Sequence, residues 1–108
     1  MSAVPKQMAA LNDETRRKVF EVVCSGARSV AEIARHLPVS RPAVSQHLRV
    51  LTDAGLVTHR VEGTRHVYHL DLNGITILRG YLDSLWQTAL GQFKAEAERT
   101  WPQRKENS

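Results

Sequence analysis

Apolar residues recur at helical spacing through the first half of the chain and at strand spacing after it. Met8 and Leu11 mark one side of a short helix beginning at residue 6. Asn12-Asp13-Glu14 then breaks the chain and opens a second helix, because an Asn or Asp side chain accepts an orphan N–H and acids suit the positive end of the helix dipole. That helix carries Val19, Phe20, Val22 and Val23 and stops near Gly26. Ser29 with Glu32 three residues on has capping-box spacing, and Val30, Ile33, Ala34 and Leu37 form the stripe of a third helix that Pro38 ends. Ser40 starts a fourth, with Pro42 in its first turn, where a missing N–H costs nothing. Val44, Leu48 and Leu51 recur there at i, i+4 and i+7, and Gly55 terminates it. Two short helices are thus joined by the tight turn Leu37-Pro38-Val39-Ser40, the layout of a helix-turn-helix.

After Gly55 the texture changes. Residues 56–61 and 65–70 are β-rich and separated by Glu62-Gly63-Thr64, which reads as a hairpin. Asn73 and Gly74 break the chain, and residues 75–98 form one long helix with a broad apolar face. The expected fold is mainly α with a β-hairpin wing, a winged helix-turn-helix of order α-α-α-α-ββ-α. Residues 6–98 form the domain, with a flexible N-terminus over 1–5 and a flexible tail over 99–108, where Trp101 is the one apolar anchor.

The length of 108 residues fits one such domain, with no room for a deep catalytic cleft and a cofactor fold as well. A hydrophobic share of 42% with 24% charged residues belongs to a globular chain. No apolar run approaches the roughly 20 residues a membrane span needs, and no secretory signal opens the chain, so no membrane partner is expected. The single cysteine, Cys24, excludes an intrachain disulfide and suits a reducing cytoplasm. Set between Val23 and Ser25, Cys24 reads as a small core residue; an intersubunit bridge is its one redox alternative.

The charge of +4 points to a polyanionic partner, nucleic acid or an acidic membrane surface. Its distribution favours double-stranded DNA. Arg35, Arg41, Arg49, Arg60 and Arg65 cluster in the centre of the chain against Asp53 and Glu62. With Val44, Leu48 and Leu51 turned inward, Arg41, Pro42, Ser45, Gln46 and Arg49 project outward on a face read as free of acids. A helix fits the major groove, where Gln pairs with adenine and Arg with guanine, and Ser40 and Ser45 can donate to phosphates. A merely solvated helix face is the competing reading. Arg60 and Arg65 flank the hairpin turn and are expected on the DNA backbone or in the minor groove; charges guarding a sheet edge are the bland alternative. His66 is expected to pack or lie exposed, and His69 to be structural.

No nucleophile–base pair, paired acids or glycine-rich phosphate loop is present, so no enzyme and no cofactor are expected. The five histidines, at 36, 47, 59, 66 and 69, contain no helical i, i+4 pair, and no metal site is expected. The long helix predicts a homodimer. Leu82, Leu85, Trp86, Ala89 and Phe93 exceed what four short helices and a hairpin can cover, and a two-fold copy would cover them, with Met8 and Leu11 beside them. Trp86 is the expected anchor. The rival function is a winged-helix protein-interaction module without specific DNA binding.

The run Ser40-Arg41-Pro42-Ala43-Val44-Ser45-Gln46-His47-Leu48-Arg49-Val50-Leu51-Thr52-Asp53-Ala54-Gly55-Leu56-Val57 closely resembles the core of ArsR-type winged-helix transcriptional repressors. The segments Leu11-Asn12-Asp13-Glu14-Thr15-Arg16-Arg17 and Glu62-Gly63-Thr64-Arg65-His66-Val67-Tyr68 match it as well. The resemblance implies a homodimeric bacterial repressor of an inverted-repeat operator, pairing through its first and last helices. Metal-sensing members carry cysteines in the helix that here reads Val30-Ala31-Glu32-Ile33-Ala34-Arg35-His36-Leu37, or His and acidic ligands on the last helix. This chain has no cysteine in the first and no histidine over 75–98, so it resembles the non-metal members, some of which regulate a neighbouring START-like protein. The inducer is not implied.

Overall fold

The computed structural model describes residues 3–100. The elements run α1 (Val4–Ala10), α2 (Glu14–Cys24), β1 (Arg28–Ser29), α3 (Val30–His36), α4 (Arg41–Asp53), β2 (Val57–Glu62), β3 (Arg65–Leu70) and α5 (Leu72–Thr100). This is the mainly helical order with a hairpin wing that the pattern predicts. Local chemistry sets the helix starts. The Asp13 carboxylate accepts the Arg16 N–H at 2.8 Å. The Ser29 hydroxyl accepts the Glu32 N–H at 3.2 Å while the Glu32 carboxylate accepts the Ser29 N–H at 2.8 Å, a closed capping box. The Ser40 hydroxyl accepts the Ala43 N–H at 3.3 Å. Val19, Ile33, Val44, Leu48, Leu51, Leu56 and Val57 are fully buried in one core.

The sheet has the order β1-β3-β2, all antiparallel. β2 and β3 pair from Val57↔Leu70 to Glu62↔Arg65, so Glu62 belongs to the strand and the turn is Gly63-Thr64 alone. Gly63 has φ +65°, the left-handed geometry a two-residue hairpin turn needs at its first position. β1 was not expected. It is two residues long, and its pairing of Arg28 with Tyr68 and Ser29 with Val67 joins positions far apart in the chain.

Four expectations are corrected. The first helix begins at Val4, not after a loose segment 1–5, and turns Val4, Gln7 and Ala10 inward; Met8 is exposed. Asn73 and Gly74 do not break the chain: α5 starts at Leu72, and the Asp71 carboxylate accepts the Gly74 N–H at 3.3 Å. A Cβ on Gly74 would lie 1.5 Å from the Gly55 carbonyl oxygen, and the buried Gln7 amide donates to the Gly74 carbonyl at 2.8 Å. Glycine is there for close approach, not for a turn. Cys24 is exposed rather than in the core, since α2 turns Val19 and Val23 inward. Partial desolvation and the Glu21 carboxylate push its thiol above the usual cysteine range. Residues 99 and 100 belong to α5; residues 101–108, with Trp101, lie outside the described residues.

The chain divides into two compact units between Leu78 and Arg79. The first contains the winged core and the first turns of α5, where Gly74 and Leu78 are buried. In the second, every described side chain is exposed except the half-buried Ala97. No helix among the described residues is long and apolar enough to cross a membrane.

Candidate nucleic-acid interface

α4 separates its two faces cleanly. Val44, Leu48 and Leu51 have no exposed surface, while Arg41, Pro42, Ser45, Gln46 and Arg49 are all exposed. Among the described residues neither Arg41 nor Arg49 enters an ion pair. The Ser40 hydroxyl caps the helix as an acceptor, which leaves its O–H able to donate to an incoming phosphate. The outward face does carry one acid: Asp53, a turn beyond Arg49, is exposed and lines a hollow with Lys6 and Arg16. The expected acid-free face therefore stops at Arg49. His47 turns inward, and its Nδ1 is buried without a hydrogen-bond partner.

The two wing arginines differ. Arg60 Nε donates to the Glu62 carboxylate at 2.5 Å, two positions along the same strand, an ion pair open to solvent. Arg65 lies across the turn and lines a shallow hollow of about 410 Å³ with Ser45 of α4 and with His66 and Tyr68. Arg65 also helps hold the Glu32 carboxyl below the ordinary carboxylate range, after the larger effect of the Ser29 hydrogen bonds. The fold thus joins Arg65 to the α4 face and ties Arg60 to a neighbouring acid. His59 and His66 were not expected to interact; their rings stack at 4.8 Å, with Tyr68 5.1 Å from His59. The register carries the signal that would have found them: His59 opposes Tyr68, and His66 lies two pairs further along, opposite Val61, on the same side of the hairpin.

Of the proposed pairing residues, Leu82, Leu85, Trp86, Ala89 and Phe93 are all exposed, as is Met8, whereas Leu11 is half-buried against the core. Phe93 is 73% exposed and Trp86 63%. Among the described residues no three His, Cys, Asp or Glu side chains converge as a metal site.

An exposed basic and amide-bearing helix, preceded by a tight turn and followed by a wing, is the arrangement of a DNA-reading module. Residues 13–59, which span α2 to the start of the wing, match the family model described as "Bacterial regulatory protein, arsR family". Over 81 residues the chain is 56% identical to the HTH-type transcriptional regulator Rv2034 of Mycobacterium tuberculosis, covering 75% of this chain and 76% of that protein. The chain belongs to the arsR family of bacterial regulatory proteins. A second relative of this regulator, the transcriptional repressor SdpR of Bacillus subtilis, is 32% identical over 57% of this chain and 69% of its own. Among solved structures, the homodimeric winged helix-turn-helix DNA-binding domain of Mb0332 from Mycobacterium bovis superimposes with a TM-score of 0.64 at 28% identity, over 89% of this chain and 81% of that one. This chain is accordingly a winged helix-turn-helix transcriptional regulator and not an enzyme.

Proposed function

We propose that this arsR-family regulator represses transcription as a homodimer bound to an inverted-repeat operator. The observation that carries the reading is the division of α4: its apolar stripe is fully buried, so Arg41, Ser45, Gln46 and Arg49 are fixed outward on a rigid helix. In the major groove Gln46 and Arg49 read base edges, Pro42 packs beside them, and Ser40, Arg41 and Ser45 meet phosphates. Arg65 extends the contact along the backbone from the wing. Arg60 contributes less than Arg65, because Glu62 competes with phosphate for its guanidinium.

Pairing rests on α5. Beyond Leu78, which the chain's own core covers, Leu82, Trp86, Ala89, Phe93 and Ala97 recur at spacings of 4, 3, 4 and 4, an 11-residue repeat. That period matches about 3.67 residues per turn and leaves the apolar line almost parallel to the helix axis. A second copy of α5 can lie along it, with Met8 and Leu11 beside it. Two-fold pairing sets the recognition helices about one DNA turn apart, roughly 34–36 Å. The regulator is read as a cytoplasmic protein that requires no metal or cofactor for this binding.

The test is duplex binding against salt for wild type, Gln46→Ala and Arg65→Ala, on DNA from upstream of the regulator's own gene and on random DNA. Gln46→Ala is expected to lose about 1–3 kcal/mol on the operator alone, and Arg65→Ala to weaken both duplexes and flatten the salt slope. Equal losses on both duplexes for Gln46→Ala would remove its base-reading role. Binding unaffected by salt would favour a protein partner for this face.

A further inference from the structure

The hollow between α4 and the wing has a composition that base reading does not use. Ser45 supplies a hydroxyl from the recognition helix, and Arg65, His66 and Tyr68 of β3 close the other side. His66 does not stand alone: its ring stacks on His59 of β2 at 4.8 Å and 21°. Tyr68 borders the same pair, 5.1 Å from His59. Ser29, Val30 and Ala31 at the start of α3 form the rest of the hollow's lining. The guanidinium, two hydroxyls and imidazole on its border are the donors that a tetrahedral oxyanion accepts from. Resting on the reading of this face as a DNA interface, we propose that Ser45, Arg65, His66 and Tyr68 form a seat for one DNA backbone phosphate, with His59 stacked on His66 as its positioning residue, and that filling the seat takes up a proton on the imidazole pair.

The proton uptake follows from charge. Imidazole is the side chain whose charge ordinarily changes between pH 5 and 8. A phosphate seated against the ring favours its positive form, because the opposite charges attract at close range. The other charged groups nearby do not supply the anion. On β1, Arg28 stands opposite Tyr68 and adds positive charge. On β2, Glu62 is held by Arg60. On β2 and β3, Arg60, Glu62, Arg65 and His69 alternate away from the His59–His66–Tyr68 side of the hairpin, Arg65 reaching the hollow from the turn. From α3, Glu32 is engaged by Ser29 in the capping box. α4 presents Ser45, with Arg41 and Arg49 on its outward face, and α2, which also packs on β3, exposes Arg17, Lys18 and Glu21, with Lys18 paired to Glu14.

A backbone phosphate carries no sequence information, so the probe is a labelled duplex of mixed sequence, titrated at fixed ionic strength at pH 8 and pH 6. Wild type is expected to bind roughly three- to tenfold more tightly at pH 6, with a salt slope steeper by about one. Calorimetry in two buffers of different ionisation enthalpy should show protons entering the complex. His66→Gln should remove most of that gain, and His59→Gln part of it. His36→Gln, an exposed histidine whose Nδ1 faces the Glu32 carbonyl at 2.8 Å on α3, should retain it. Arg65→Ala should weaken binding at both pH values. All three histidines are exposed, so the folded state is expected to survive, and circular dichroism checks it. A pH response identical in wild type and the His59→Gln/His66→Gln double variant would overturn the seat and leave the DNA reading intact. No binding to the operator region or to the mixed duplex at either pH would overturn both.

Discussion

α4 and the part of α5 beyond Arg79 are both amphipathic helices, and they end in opposite states. α4 buries Val44, Leu48 and Leu51 completely and shows solvent only its polar face. α5 shows solvent Leu82, Leu85, Trp86 and Phe93, each 48% exposed or more. The periodicity of an apolar stripe says that something must cover it. It does not say whether the cover comes from the same chain. For α4 the cover is the stripes of α2 and α3 with β2 beside them; for α5 Leu82, Leu85, Trp86 and Phe93 stay exposed, and the proposed cover is a second copy of the chain.

The largest test of that contrast is Leu48→Ala. Removing a fully buried leucine from the shared core should cost about 2–5 kcal/mol at any protein concentration, read as a lower denaturation midpoint. The counterpart on α5 is Leu82→Ala with Trp86→Ala. Here the loss, about 2–3 kcal/mol or some hundredfold in dimer dissociation, should appear in sedimentation and vary with concentration. DNA affinity should fall with it, although neither residue touches DNA. A wild-type chain that sediments as a monomer at micromolar concentration and still binds the palindrome at full strength would erase the contrast.

Gly74→Ala probes where α5 passes from covered to exposed. The added methyl meets the Gly55 carbonyl and crowds the Gln7 amide, so about 1–3 kcal/mol of stability should be lost. Ala at Gly80 or Gly91, where nothing lies within 4 Å of the added carbon, should stabilise the helix slightly instead.

The smallest effect concerns the scaffold of α4. Ser29→Ala opens the capping box of α3 and should cost about 0.5–2 kcal/mol by chemical denaturation. The same box gives a pH dependence with a defined sign. The Glu32 carboxyl is held below its ordinary range by its hydrogen bonds to Ser29. Its contribution is therefore present above the normal carboxylate range and disappears as pH falls through the lowered folded value. Glu32→Gln should make stability less sensitive to acid between about pH 5 and 3.

Much of this molecule is legible along the chain because its decisive signals are local. Asp13, Ser29 and Ser40 each bond a backbone N–H three residues on, so their helices start where the residue types say. Val44, Leu48 and Leu51 determine which face of α4 is hidden, and hence that Arg41, Ser45, Gln46 and Arg49 face out. The hairpin follows from two β-rich runs and one glycine. Features that depend on a distant partner were decided only by the tertiary structure. β1 is two residues that become a strand because Tyr68 and Val67 lie alongside. Gly74 reads as a breaker until Gly55 and Gln7 close on it, and Asp71 rather than Asn73 caps α5. Cys24 lies one step off the buried stripe of α2 and so faces solvent. Arg60 and Arg65 look equivalent in the sequence, yet one is held by Glu62 and the other meets Ser45 across a hollow. The physical reason is range: a cap or a stripe is satisfied within one or two turns, whereas a strand edge, a close backbone approach or a shared hollow needs atoms that only the folded chain brings together.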